Sequence, residues 1–135
     1  MCGIAGLARS DSGGAISEEV LRRMAGVLRH RGPDAAGLYV GESAGLAHTR
    51  LSIIDLECGS QPLFNEDGSV AITYNGEVYN YIELRRQLED RGHAFHTRSD
   101  TEVLVHAYEE WGTDFPSHLN GQFACALYDL SLIHI

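Results

Sequence analysis

A thiol in the second position, Cys2, is the first side chain of this sequence with chemistry to offer. Removal of Met1 would place a free α-amine beside that thiol. The amine titrates near ~8 and a thiol near ~8.5, so around neutral pH the amine can act as base for its own residue. Nucleophile and base within one residue is also the logic of N-terminal Thr enzymes. Gly3 adds no side chain, and a substrate carbonyl could approach closely. A small buried residue opening a strand would read the same way. Cys2 therefore needs partners elsewhere in the chain.

Three further features can supply them. The Asn75 side-chain amide and the Gly76 backbone N–H could donate to one oxygen. Such a pair stabilises a tetrahedral intermediate, and one donor can be worth ~3 kcal/mol. Asn-Gly is also an ordinary hairpin signal. Arg50 could grip a carboxylate through both arms of its guanidinium, or be a solvated surface residue. Asp100 lies at a predicted helix start, where the dipole favours its ionised form. It could cap the helix, hold an ammonium, or both. Arginine for a carboxylate and aspartate for an ammonium together define a free amino acid.

Alternating elements must position these groups. Residues 2–8 read as a buried strand. Ser17, followed by Glu18 and Glu19, caps a helix with Leu21, Met24, Ala25 and Leu28 on one face and Gly32-Pro33 at its end. Residues 36–41 and 44–49 form a strand pair around Gly41-Glu42-Ser43. Residues 50–54 are extended, and 57–68 are a loop. A strand from Val70 to Tyr74 runs into Asn75-Gly76. Asn80 and Glu83 have capping-box spacing at the head of a helix carrying Tyr81, Leu84 and Leu88, which Gly92 closes. A short strand is expected over 94–97. Ser99 and Glu102 suggest a second capping box, before a helix with Leu104, Ala107, Tyr108 and Trp111. After a turn or short helix over 114–119, Gln122 to Tyr128 reads as a strand.

The 135 residues suffice for one domain with one core. A net charge of −9, with no basic run, argues against nucleic acid. No apolar run is long enough for a membrane span, and no signal peptide is evident. Cys2, Cys58 and Cys125 are too scattered for a disulfide framework or a zinc site, and the cytoplasm is the expected compartment. His93 and His96 are near neighbours in a strand-like context with no Cys or carboxylate cluster, so no metal is expected. No GxGxxG or P-loop follows a strand, and nucleotide binding has no support.

Taken in order, Met1-Cys2-Gly3-Ile4-Ala5-Gly6, His30-Arg31-Gly32-Pro33-Asp34, Arg50-Leu51-Ser52-Ile53-Ile54-Asp55, Gln61-Pro62, Tyr74-Asn75-Gly76-Glu77-Val78-Tyr79-Asn80 and Ser99-Asp100-Thr101-Glu102 resemble a known family. It is the class II glutamine amidotransferase domain of glutamine-hydrolysing asparagine synthetases. The resemblance spans roughly residues 1–129, an expected domain incomplete at its C-terminus, with a tail at 130–135 that departs from the pattern. It implies an α+β fold, a four-layer αββα sandwich of antiparallel sheets. It makes Cys2 the nucleophile that attacks the glutamine side-chain amide, releasing ammonia and then glutamate through a thioester. Asn75 and Gly76 would form the oxyanion hole, and Arg50 would take the glutamine carboxylate. Glu77 and Asp100 would lie near its ammonium, and Leu51, Ser52, Ile53 and Ile54 would line the pocket. The His30–Asp34 run would support the nucleophile, and Cys58 and Cys125 would be inert.

The same resemblance assigns ATP and Mg to a separate C-terminal synthetase domain, with no cofactor in these residues. That domain and glutamine are the implied partners, and a homodimer is compatible with it. The Gly32-Pro33-Asp34 wording favours the asparagine synthetase branch. Two alternatives stay open: the glutaminase of another class II branch, and a non-catalytic fragment. If later strands are missing, the chain alone should be weakly active and marginally stable.

Overall fold

The computed structural model describes residues 2–10, 14–52 and 59–134. Four layers stack in the order helix, sheet, sheet, helices, as the family resemblance implies. The first sheet holds β1 (Gly3–Ala8), β2 (Ala35–Val40) and β3 (Ala44–Arg50) in the order β1-β3-β2. Both pairings are antiparallel, with Gly3 opposite Thr49 and Ala36 opposite Thr49 from the other side. The second sheet holds β4 (Leu63–Phe64), β5 (Val70–Val78) and β6 (Gly121–Asp129) in the order β4-β5-β6, also antiparallel.

Strand alternation assigns the faces. In β3, Ala47 packs with Ile16, Leu21 and Ala25 beneath α1 (Glu18–Val27). His48 must then face the other way, into the space between the sheets. Gly45 lets α1 settle closely, since a Cβ there would lie 2.4 Å from Leu21 Cδ1. In β5, Ile72, Tyr74 and Val78 join the core under α2 (Tyr81–Glu89) and α3 (Asp100–Trp111). Thr73 and Asn75 face the first sheet, and the Thr73 hydroxyl donates to the Ala47 carbonyl at 3.5 Å.

The helices form where expected, with differences at their ends. Ser17 caps α1 through the Val20 N–H, but α1 stops at Val27 rather than at Gly32-Pro33. Its last carbonyls have other partners: Val27 O meets the His30 ring, and Leu28 O accepts from Thr49 Oγ1 and from the Arg31 N–H. Asn80 makes no capping hydrogen bond. Its side chain instead ties the chain after α3, donating to His118 O and accepting from the Asn120 N–H. Ser99 does cap α3, through the Thr101 N–H, but Glu102 does not return the bond. Its carboxylate accepts from the backbone N–H groups of His96 and Thr97. That bonding, and the Arg85 guanidinium on Thr97 O, replaces the strand expected over 94–97.

One loop reading also changes: the expected 57–68 loop contains the short strand β4. The turn or short helix expected over 114–119 is a 3₁₀ helix, Gly112–His118. A second such turn, Leu130–His134, follows β6, with the Leu130 N–H donating to Ser69 O. No helix among the described residues is long and apolar enough to cross a membrane.

Candidate active site

Asn75-Gly76 is not a turn. Both residues lie inside β5, opposite Ala124 and Phe123 of β6. Glycine is required because the strands approach closely: a Cβ on Gly76 would lie 2.3 Å from Gln122 O. The Asn-Gly signal therefore reports strand packing and not a reversal of the chain.

The ladder fixes where the β5 amides point. Tyr79 donates to Asn120 O, and Leu130 donates to Ser69 O, just beyond either end of β5. Antiparallel ladders alternate, so the odd-numbered residues of β5 exchange hydrogen bonds with β6. The even-numbered amides point to the opposite edge. There the Tyr74 N–H donates to Gln61 Oε1 at 2.6 Å, and the Val78 N–H reaches Asp100 Oδ2 at 3.4 Å. Between them, the Gly76 N–H has no such acceptor among the described residues. It opens onto a pocket that Cys2, Arg50 and Asn75 also line. The Asn75 side chain has no hydrogen-bond partner among the described residues either. Two donors thus stand unclaimed beside a thiol.

Cys2 sits at the head of β1. Its Sγ lies 3.6 Å from Leu51 O and 3.4 Å from Leu51 N. The His30–Asp34 run stays outside the pocket lining and braces it. Arg31 Nε donates to Cys2 O at 3.0 Å, while Asp34 accepts from the Ser52 N–H at 2.8 Å and donates its own N–H to Arg50 O. Gly32 permits this contact, since a Cβ there would meet the Thr49 carbonyl at 2.3 Å.

At the far side, Asp100 opens α3 and is only 8% exposed. The Tyr74 hydroxyl donates to its Oδ2 at 2.7 Å. Burial and the neighbouring carboxylate push the Tyr74 phenol far above its usual range, so it stays a donor. Gln61 spans the floor, accepting from Tyr74 N and donating to Thr101 Oγ1 at 3.2 Å.

Of the expected site residues, Cys2, Arg50, Leu51, Asn75, Gly76, Glu77 and Asp100 come together around this pocket. Glu77 is the exposed member. Ser52 is not on the lining; its amide is held by Asp34. Ile53, Ile54 and Cys58 lie outside the described residues. Cys125 is half-buried, away from the lining, and burial pushes its thiol pKa up, which suits an inert residue.

Sequence reasoning missed His48, Gln61 as a floor residue, and Tyr74. His48 is 2% exposed and lines the pocket, and its Nε2 has no hydrogen bond among the described residues. Burial, and then the Arg50 charge, lowers its pKa to about 4, against a smaller opposing effect of the Tyr74 backbone. It is a neutral imidazole at physiological pH. Its strand position, two residues before Arg50 and therefore on the same face, was the available signal.

The chain is similar to known proteins in sequence and in fold. A family described as "Glutamine amidotransferase domain" matches residues 1–134. Asparagine synthetase (glutamine-hydrolyzing) 1 of Arabidopsis thaliana is 50% identical over 130 residues, 96% of this chain and 22% of that protein. Asparagine synthetase (glutamine-hydrolyzing) 1 of Bacillus subtilis (strain 168) is 44% identical over 131 residues, 96% of this chain and 21% of its own length. The chain thus spans about a fifth of these relatives. Among solved structures, glutamine phosphoribosylpyrophosphate amidotransferase from B. subtilis aligns with a TM-score of 0.69 at 24% identity, covering 96% of this chain and 35% of the other. That likeness supports the sandwich fold alone.

Proposed function

The chain belongs to the glutamine amidotransferase domain family, and from that premise we propose that it hydrolyses the side-chain amide of glutamine at Cys2. With Met1 removed, the Cys2 α-amine takes the thiol proton, and the thiolate attacks the amide carbon. The carbonyl electrons move onto oxygen, which the Asn75 side-chain amide and the Gly76 N–H hold. Collapse of the intermediate expels ammonia, carrying the proton returned by the amine, and leaves a thioester. Water then cleaves the thioester to glutamate and free thiol. Arg50 grips the glutamine carboxylate, and Asp100 and Glu77 take its ammonium.

The observation that carries this reading is the unclaimed Gly76 N–H, set between two claimed amides and facing the pocket of Cys2. Donors aimed at a developing oxyanion act without reorganising during the reaction. The degree of likeness to asparagine synthetases supports a wider proposal. The ammonia passes to a synthetase domain of a longer cytoplasmic polypeptide, with an acid such as aspartate as acceptor. Neither ATP nor Mg is needed for the glutaminase step.

A glutamine-analogue electrophile tests the assignment. It should label Cys2 with one equivalent and leave Cys58 and Cys125 free, and intact mass should show Met1 absent. Labelling of another cysteine, or full glutaminase activity with Met1 retained, would overturn it.

A further inference from the structure

On the outer helical layer, away from the pocket lining, two histidines and a glutamate converge. His106 and Glu109 sit one turn apart on α3, and His93 follows α2. Nδ1 of His106 lies 2.7 Å from Glu109 Oε2, and Nδ1 of His93 lies 3.6 Å from the same oxygen. One donor atom from each of the three lies within 4.8 Å of the others. The geometry points to a second site in this molecule, a divalent transition-metal site of the zinc class with His93, His106 and Glu109 as ligands.

Proton accounting leaves His106 two ways to satisfy both ring nitrogens, a doubly protonated ring or a cation on Nδ1, and the metal-binding test below separates them. His106 is 1% exposed, and its Nε2 is buried with no hydrogen bond. That nitrogen faces two carboxylates, Glu66 and Glu102, each at 3.9 Å. In a neutral ring bonded to Glu109, the proton sits on Nδ1. A bare Nε2 lone pair is then left facing negative charge. A metal on Nδ1 reverses this. It forces the proton onto Nε2, which then presents N–H to the carboxylates. His93 repeats the pattern, with Nε2 3.2 Å from Glu110 Oε2. A ligating imidazole whose other nitrogen meets a carboxylate is the usual outer arrangement of a metal site.

Glu109 is itself oriented from behind, since Asn65 Nδ2 donates to its Oε1 at 2.8 Å. The two-nitrogen, one-oxygen set suits zinc, with water completing a tetrahedron. Tetrahedral ligands on zinc stand about 3.3 Å apart. The exposed Glu109 carboxylate therefore has to withdraw from His106 by roughly half an ångström on binding. The local charge also favours a cation: Glu66, Glu102, Glu109 and Glu110 surround the two rings, and the Arg91 guanidinium pairs with Glu110 alone. Sequence reasoning looked at His93 with His96. The partner that matters is His106, brought close by the return of α3 along α2.

Untagged protein, stripped with chelator and dialysed, should bind Zn²⁺ at one equivalent by calorimetry and melt at higher temperature when loaded. Co²⁺ at the same site should give the visible absorption of a tetrahedral centre. His93→Ala should weaken Zn²⁺ binding at least tenfold and abolish the cobalt spectrum, while His96→Ala leaves both unchanged. Should metal-free His93→Ala melt below the parent, the exposed substitution Glu109→Ala provides the same comparison in a folded chain. Absence of stoichiometric binding, or equal binding by parent, His93→Ala and Glu109→Ala, would overturn the proposal.

Discussion

In the proposed reaction Asn75 and Arg50 meet different parts of glutamine, so the two should separate in kinetics. The Asn75 amide counts most when charge develops on oxygen, so Asn75→Ala should lower kcat by about 10²–10³-fold with little change in KM. The carboxylate assigned to Arg50 in that proposal does not react, and Arg50→Ala should act mainly on KM. Steady-state glutamine hydrolysis distinguishes the two, and an Asn75→Ala effect confined to KM would contradict the oxyanion role. His48 offers a second test, by stability. Its pKa in the fold is about 4, below the 6.5 of an unfolded histidine. The unfolded chain therefore takes up the proton first as pH falls. The stabilising contribution is complete above pH 6.5, declines between there and 4, and is gone below. Between pH 7 and 5 the parent should lose about 2 kcal/mol from this residue, and His48→Gln should lack that part of the slope. Parallel denaturant midpoints for the two chains across this range would contradict it. The residues that gather at the pocket were legible because thiol, amide, guanidinium and carboxylate groups each suit a specific task in amide chemistry. His48 was not, because a buried strand histidine looks like any other core residue until its neighbours are known.

Glycines show most directly what the elements need. Gly76 lies where β6 leaves no space, with the Gln122 carbonyl 2.3 Å from a would-be Cβ. Gly26, in the exposed face of α1, has nothing within 4 Å. Gly76→Ala should therefore cost about 1–3 kcal/mol and reduce turnover by moving its own N–H. Gly26→Ala should stabilise by up to ~1 kcal/mol, since alanine loses less backbone freedom in a helix. Urea midpoints of both variants read this contrast, and destabilisation by Gly26→Ala would refute it. Local periodicity revealed α1 and α2 because each buries one stripe, such as Leu84 and Leu88 of α2, whereas α3 is buried all round from Asp100 to Ala107. It failed where side chains from distant residues take over backbone groups. Asn80 and Glu102 have capping-box spacing, yet their polar atoms serve the segments at 118–120 and 96–97. No local rule reports such partners. The two-residue strand β4 was hidden for a related reason: its pairing with Ile72 and Ala71 is set entirely by β5.

Across the whole molecule, the two halves of the sandwich are unequally built. The core between the second sheet and α2 and α3 includes Ile72, Leu88, Val103, Leu104 and Val105, all fully buried. The core under α1 rests on Ile16, Leu21, Ala25 and Ala47, smaller in number and in side-chain volume. Apolar burial contributes about 25 cal/mol per Å², so the α1 layer has less holding it. Among the described residues both β1 and β2 are edges of their sheet, and β3 is flanked on both sides. Opening of α1 with β2 should therefore need less free energy than opening of β5 with α3. Native-state hydrogen exchange would show this as slowest amides in β5 and α3, with α1 and β2 exchanging faster through a partial opening. The candidate site spans this divide. Cys2 and Arg50 belong to the weaker half, while Asn75, Gly76 and Asp100 belong to the stronger. A glutamine analogue bridging the two should raise protection of β1 and β3 more than that of α3, because binding adds its free energy where the apo protein opens most readily. Equal protection of α1 and α3 in the apo protein, or a ligand effect confined to α3, would show that the layers open as one unit.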